Sequence, residues 1–275
     1  MAGEKYVLAT GEDAEYRLKI VNDVHGPDSK EFLVRAGLEC GGQGMGLRVA
    51  DIGCGVGTMS RYIALVNGAS GGRGDFVGVD VSEKQIEQAQ KLFESAPEQN
   101  ARFIVASAYE TGLTSDSFDM VYSRFLLMHV ARPQDVLKEM KRILKPGGIL
   151  AIEDGDFASP FCYPPSTAYD RCFELYRLAG EREGADFRIG PKLPNLVLNA
   201  GFSLRGVTLA QPVILTGDAK RLPEWTLEEF APTLIAANLA AQEEIHALTA
   251  ELQRLAADER TQFGMARLTQ IIATK

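Results

Sequence analysis

The chain has 275 residues, 45% of them hydrophobic and 24% charged: enough apolar material for a sizeable core and no signature of wholesale disorder. A formal net charge of -8 repels phosphate backbones on average, which argues against a nucleic-acid partner. The four cysteines, Cys40, Cys54, Cys162 and Cys172, form no C-x-x-C pair, so a metal site is not expected, and no run approaches the ~18 apolar residues of a membrane span.

The opening "MAGEKYVLATGEDAEY" lacks the apolar centre of a secretion signal, so a cytoplasmic protein is expected. Residues 12–38 read as helical, with Leu18, Val21, Phe32, Leu33 and Ala36 on apolar faces. Gly26-Pro27 is expected to divide that run into two helices. "CGGQGMG", 40–46, reads as a flexible connector.

From Leu47 strands and helices alternate. "LRVADIG" is a first strand, and "TMSRYIALV" a helix with Met59, Tyr62, Ile63 and Val66 on one face. "DFVGVDV", 75–81, is a second strand. Ser82 then caps a helix, with Gln85 as the reciprocal partner of a capping box. "ARFIVASA" and "SFDMVYSRF" are the third and fourth strands. "DVLKEMKRIL" puts Val136, Leu137, Met140, Ile143 and Leu144 on one helical face, "KPGG" stops it, and "ILAIED" is a fifth strand. Such alternation predicts an α/β, doubly wound, mostly parallel sheet with helices on both faces. After Asp154 the rhythm breaks into an aromatic-rich insertion, 155–191, with a helix near 166–182. A short helix, a sixth strand, a second insertion at 222–259 and a closing strand "GMARLTQIIATK" follow.

"VADIGCGVGTMSRY", 49–62, places Gly53, Gly55 and Gly57 between a strand and a helix. Glycine lets a ligand approach the backbone, and bare amides at the helix start are expected to meet it. Asp80, at the end of the second strand, suits the paired hydroxyls of a ribose. A dinucleotide favours G-x-G-x-x-G, whereas here the third glycine comes one position early. Asp51, just before the loop, disfavours a pyrophosphate and suits a ligand with an ammonium group, such as S-adenosylmethionine.

On "VADIGCGVG", "FVGVDVS", "SFDMVYSRFLLMHV" and "LKEMKRILKPGGILAIED" the chain resembles the class I S-adenosylmethionine-dependent methyltransferases, nearest the ubiquinone/menaquinone-biosynthesis and arsenite branch. The resemblance covers residues 47–154 well, and 192–214 and 264–274 more loosely. It implies a seven-stranded sheet of order 3-2-1-4-5-7-6 with the last strand antiparallel. It further implies that Asp51, Gly53 and Gly55 hold the methionyl part, that Asp80 binds the ribose, and that Val81 packs under the adenine with Ala108 at its edge. The acidic residue usual at the end of the third strand is absent, leaving Ser107 or Tyr109 for the adenine amino group. Arg124 falls where the chain passes the sulfonium, with His129 one turn on; Gln85 joins the cofactor set. Residues 1–46 are expected to form a helical cap over the cofactor, with Tyr16 and Arg17 clamping its carboxylate. Residues 47–275 then form the Rossmann-like domain.

Both insertions leave the sheet on the cofactor side, so they are expected to form a lid over a small-molecule acceptor. Phe161, Tyr163, Tyr169, Phe173 and Tyr176 either pack the insertion's own core or line an apolar pocket. Methyl transfer needs alignment first and a base only if the acceptor arrives protonated. His129 and Asp154 are the candidate bases, and Asp156 a candidate acceptor contact, although the two aspartates could equally cap a helix. The stripe Ile245, Leu248, Leu252 and Leu255 reads as core, a helix pair or a homodimer contact. The expected reaction is transfer of a methyl group to O, N or C of a small molecule, leaving S-adenosylhomocysteine. The alternatives are a cofactor-binding protein that no longer methylates and a nicotinamide-dependent oxidoreductase.

Overall fold

A computed structural model describes residues 12–38, 46–69, 74–94 and 101–275. Cys40, the expected connector apart from Gly46, and the chain before residue 12 lie outside these residues. In chain order the elements are α1 (Glu12–Arg35), β1 (Val49–Ile52), α2 (Thr58–Ala69), β2 (Phe76–Asp80), α3 (Glu83–Glu94), β3 (Ala101–Val105) and β4 (Phe118–Arg124). A single helical turn, Leu127–His129, leads to α4 (Pro133–Ile143) and β5 (Leu144–Asp156). Then come β6 (Phe161–Tyr163), α5 (Thr167–Arg182), α6 (Leu193–Asn199), β7 (Ser203–Ala210), β8 (Val213–Ile214), α7 (Leu222–Ala236), α8 (Gln242–Ala257), β9 (Gln262–Gly264) and β10 (Arg267–Thr274).

Seven strands pair in the order β3-β2-β1-β4-β5-β10-β7. β10 runs antiparallel to both its neighbours, and the pairs from β3 to β5 are parallel. Counting only these strands, the order is the expected 3-2-1-4-5-7-6. A second sheet, β6-β9-β8, has strands of two or three residues and was not foreseen, because so short a strand carries no readable alternation.

Register decides which side chains share a face. Asp51 pairs with Gly78 of β2 and Tyr122 of β4, and Arg124 with Glu153 of β5. Two-residue periodicity then puts Asp51, Asp80, Tyr122, Arg124 and Glu153 on the face packed by α1, α2 and α3 through Phe32, Ile63 and Ile86. The opposite face, with Ile52, Val79, Val121 and Ile152, takes α4 through the fully buried Val136, Leu137, Met140 and Ile143.

Three local expectations need correction. α1 is one helix that runs through Pro27. An internal proline costs ~3 kcal/mol. Phe32 and Leu33 beyond it are fully buried, and burial of such side chains contributes ~1.5–3 kcal/mol each, which offsets the cost. The "KPGG" segment belongs to β5, which pairs from Leu144 onward with a register shift opposite Phe118–Met120. The capping box is half made: Ser82 Oγ accepts from the Gln85 amide at 3.4 Å, but Gln85 Oε1 is buried without a partner.

Among the described residues no helix is long and apolar enough to cross a membrane. Ile245, Leu252 and Leu255 are buried within the chain in the core that includes α5 and α7.

Candidate active site

A cavity of about 580 Å³ opens at the carboxyl ends of β1, β2 and β4. Its floor is the glycine loop and the sheet ends, from Asp51 and Gly53 to Asp80 and Arg124. Its walls come from α1 (Arg17, Val21, His25), the turn after β4 (Leu126, His129), α5 (Phe173, Tyr176) and α7 (Leu222, Thr226).

Four of the loop's amides are already bonded. Gly53 and Cys54 both donate to Val79 O, at 2.8 and 3.0 Å, and Gly57 donates to Cys54 O at 3.1 Å. Gly55 donates to Asp80 Oδ2 at 2.9 Å, while Asp80 Oδ1 accepts from the Ser82 amide, also at 2.9 Å. The expectation of free donors therefore fails at Gly53, Cys54 and Gly55, whose amides tie β1 to β2, and at Gly57, whose amide closes the loop on Cys54. The three glycines also do different work. A Cβ on Gly57 would fall 2.9 Å from Ala89 Cβ of α3, and one on Gly53 3.0 Å from Leu126. At Gly55 the nearest atom is the orphaned Gln85 Oε1, at 3.6 Å.

The sheet face below the cavity carries buried charge. Asp51 is 2% exposed and accepts from Ser60 Oγ at 2.7 Å. Burial pushes its carboxyl up to about 7, against the bond from Ser60 and the nearby Arg124. Asp80 is raised as well, by burial against three amide bonds. Arg124 donates to Asn22 Oδ1 at 2.9 Å and Ser29 Oγ at 3.2 Å, which pins α1 to the sheet. Tyr122 donates to Glu153 Oε1 at 2.5 Å, and Gln270 Nε2 donates to Glu153 Oε2 at 2.9 Å. Burial and the Glu153 charge push the Tyr122 phenol well above its usual value.

This site sits where an open parallel sheet places ligands. Residues 50–152 match the family model described as a methyltransferase domain. A ubiquinone/menaquinone biosynthesis C-methyltransferase, UbiE, of Vibrio vulnificus is 28% identical over 204 residues, covering 74% of this chain and 71% of the relative. Methyltransferase GfsG of Streptomyces halstedii is 36% identical over 110 residues, 40% and 38% of the two chains. Among solved structures, a methyltransferase-like protein of Bacillus halodurans superposes with a TM-score of 0.60 at 17% identity, covering 89% and 97% of the two chains. The chain carries a methyltransferase domain over residues 50–152 and is an S-adenosylmethionine-dependent methyltransferase. It transfers a methyl group, and nothing favours the non-methylating or nicotinamide alternatives.

The methyltransferase's own residues fit that cofactor. A buried carboxylate, Asp51, lines the cavity beside the loop and suits an ammonium group. Gln85 Oε1 is a buried acceptor without a partner at the edge of the cavity.

Of the residues singled out in the sequence, the cavity gathers Arg17, Asp51, Gly53, Gly55, Asp80, Val81, Gln85, Ala108, Tyr109, Arg124, His129, Phe173 and Tyr176. The others lie elsewhere. Tyr16 is 44% exposed and donates to Asp218 Oδ2 at 2.6 Å. Ser107 Oγ accepts from the Tyr109 amide at 3.2 Å and is not in the cavity wall. Asp154, a candidate base, is on the wrong face of β5. Its Oδ2 accepts from the Leu127 and Met128 amides at 2.7 and 3.3 Å, so it caps the turn after β4. Asp156 pairs with Arg267 at 3.2 Å and accepts from the Ala158 amide at 3.0 Å. Phe161 and Tyr163 are exposed on the small sheet. Tyr169 is fully buried, with its hydroxyl donating to Gly264 O at 3.1 Å.

Sequence reasoning missed several wall residues. His25 lines the cavity at 3% exposure, edge-on to Phe125 at 5.4 Å. Burial first, and then Arg124, lower its pKa to about 3. The signal was present: Arg17, Val21 and His25 step by four along α1, as do Leu18 and Asn22. Met265 and Ala266, just ahead of β10, had no such signal.

Proposed function

We propose that the cofactor lies across the ends of β1 and β2, with Asp80 accepting hydrogen bonds from its ribose hydroxyls. Asp51 takes the methionyl ammonium and Arg124, beside it, the methionyl carboxylate. Val81, Ala108 and Tyr109 flank the adenine, and Gln85 Oε1 supplies a further acceptor at Gly55. When bound, S-adenosylmethionine supplies a methyl group already activated by the sulfonium. The chain's task is then alignment and exclusion of water, worth on the order of 7–11 kcal/mol in favourable geometry.

α1 serves as the cap, and α5 and α7 as the lid over an acceptor lying against Phe157, Phe173 and Tyr176. His129 is the residue placed to take a proton. Burial, and secondarily Arg17, lower its pKa to about 4, so it is neutral and able to accept at physiological pH. The same reading makes the protein a cytoplasmic one acting without nucleic acid, supported by the net charge of -8. For a homodimer it offers the outer edge of β7, where Val207 and Leu209 are exposed.

The observation that carries this reading is the convergence of Asp51, Asp80 and Arg124 from three strands on one cavity. Titration calorimetry with S-adenosylhomocysteine tests it. Wild type is expected to bind, and Asp80→Ala to bind at least about tenfold more weakly, the scale of one good charged hydrogen bond. Unchanged affinity in Asp80→Ala would refute the assignment. Labelled methyl transfer to extract compounds then identifies the acceptor.

A further inference from the structure

Arg17 is the cavity residue that the cofactor assignment leaves without work. It is 8% exposed. Its Nε stands 2.8 Å from Glu229 Oε2 on α7. Its Nη2 is buried with no hydrogen-bond partner. An orphaned buried donor costs ~1–3 kcal/mol, more when charged, and a ligand that accepts the bond removes that cost.

The neighbours say which ligand. Arg17 reaches Glu229 on α7, and the adjacent Phe230 meets Tyr176 edge-on at 4.9 Å. His129 lines the same cavity. His129 meets Phe187 edge-on at 5.3 Å, and Phe187 stacks on Tyr176 at 4.4 Å. Tyr176 in turn packs with Phe157 at 5.0 Å. Arg17 thus belongs to the aromatic half of the cavity. Tyr16, the other half of the expected clamp, points away to Asp218 and packs on Trp225 at 5.6 Å.

We propose that Arg17 is the anion-binding residue of the acceptor subsite, and that the acceptor is a flat apolar compound bearing one carboxylate. Its ring lies against Phe157, Phe173 and Tyr176, and its carboxylate accepts from Arg17 Nη2. A planar guanidinium matches a carboxylate well. A monoanion suits the site better than a dianion, because Glu229 already offsets the single positive charge. This rests on the reading that the cavity holds cofactor and acceptor together.

The test titrates 2-naphthoate and 2-naphthol, alike in shape and different in charge, into protein saturated with S-adenosylhomocysteine. Wild type is expected to prefer naphthoate by about tenfold or more, equivalent to about 1.4 kcal/mol. Arg17→Gln should abolish the preference and Arg17→Lys restore part of it. Glu229→Gln, which frees the guanidinium, should widen it. Affinity for S-adenosylhomocysteine should stay within about twofold of wild type in all three, because the acceptor subsite is separate. No preference in wild type overturns the proposal, as does a preference that survives Arg17→Gln. Loss of S-adenosylhomocysteine affinity in Arg17→Gln would return the residue to the cofactor. Failure of wild type to bind S-adenosylhomocysteine at all would overturn the proposal by removing the underlying cofactor reading. Should Arg17→Gln fail to fold, the wild-type and Glu229→Gln titrations decide alone.

Discussion

Gly57 and Gly55 look alike in sequence and should fail differently when replaced. Gly57 has φ +81, and its missing Cβ would sit 2.9 Å from Ala89 Cβ and 3.2 Å from Ala89 Cα. Alanine there has to hold a left-handed conformation, at ~1–2 kcal/mol. It also has to push α3 off the loop, and overpacking of this kind costs ~1–3 kcal/mol. Gly57→Ala is therefore expected to lose about 2–5 kcal/mol, a fall in melting temperature of roughly 4–20 °C for a chain of this size. Gly55 has φ +55, but its Cβ would meet only Gln85 Oε1, at 3.6 Å. Gly55→Ala should carry the backbone cost alone, ~1–2 kcal/mol, and should weaken S-adenosylhomocysteine binding because its methyl group would stand beside Gln85 Oε1 at the cavity. Thermal melts followed by circular dichroism, with and without S-adenosylhomocysteine, read both effects. A Gly57→Ala protein that melts with wild type would refute the packing argument. A Gly55→Ala protein with wild-type affinity would remove the ligand from the loop.

Three further outcomes follow from buried charge. Asp51 titrates near 7 because it is buried, and an ammonium ligand favours its ionised form. S-adenosylhomocysteine affinity should fall as pH drops from 8 to 6, approaching about tenfold per unit below 7, with proton release on binding. A flat profile in wild type would argue against contact between Asp51 and the ammonium. His25, held neutral with a pKa of about 3 against 6.5 unfolded, contributes stability that is lost as pH falls below 6.5. In denaturant titrations His25→Phe should gain on wild type by about 2 kcal/mol between pH 7 and pH 5; an equal response in both proteins would count against a neutral His25. Glu139 accepts from the Thr111 amide and hydroxyl at 2.9 and 2.6 Å and pairs with Arg142 at 2.6 Å. Glu139→Ala strands the buried Thr111 donors and should cost ~1–3 kcal/mol, with wild-type stability in the variant as the contrary result.

The sheet was legible because its strands are short apolar runs spaced by amphipathic helices, and Asp80 because it ends such a run. What the sequence hid was parity. Glu153 and Asp154 are adjacent in "ILAIED", but one joins Tyr122 and Gln270 beneath α1 while the other caps the turn after β4. Which of two neighbouring acids lies beneath α1 depends on which face that helix covers, and no local pattern records that. The same holds for the amides of Gly53 and Gly55, whose partners Val79 and Asp80 arrive from another strand. Pro27 misled for a related reason: local preference yielded to the burial of Phe32 and Leu33. Phe161 and Tyr163 followed the aromatic composition of their insertion but landed on a small separate sheet.

The cavity wall begins at Arg17 on α1 and ends at Ala266, with β10 beyond it wedged between β5 and β7. A ligand in the cavity therefore touches α1 and the turn ahead of β10 at once. A hundredfold excess of ligand over its dissociation constant adds about 2.7 kcal/mol to the folded state, so occupancy fastens the first described helix and the last strand to the same body.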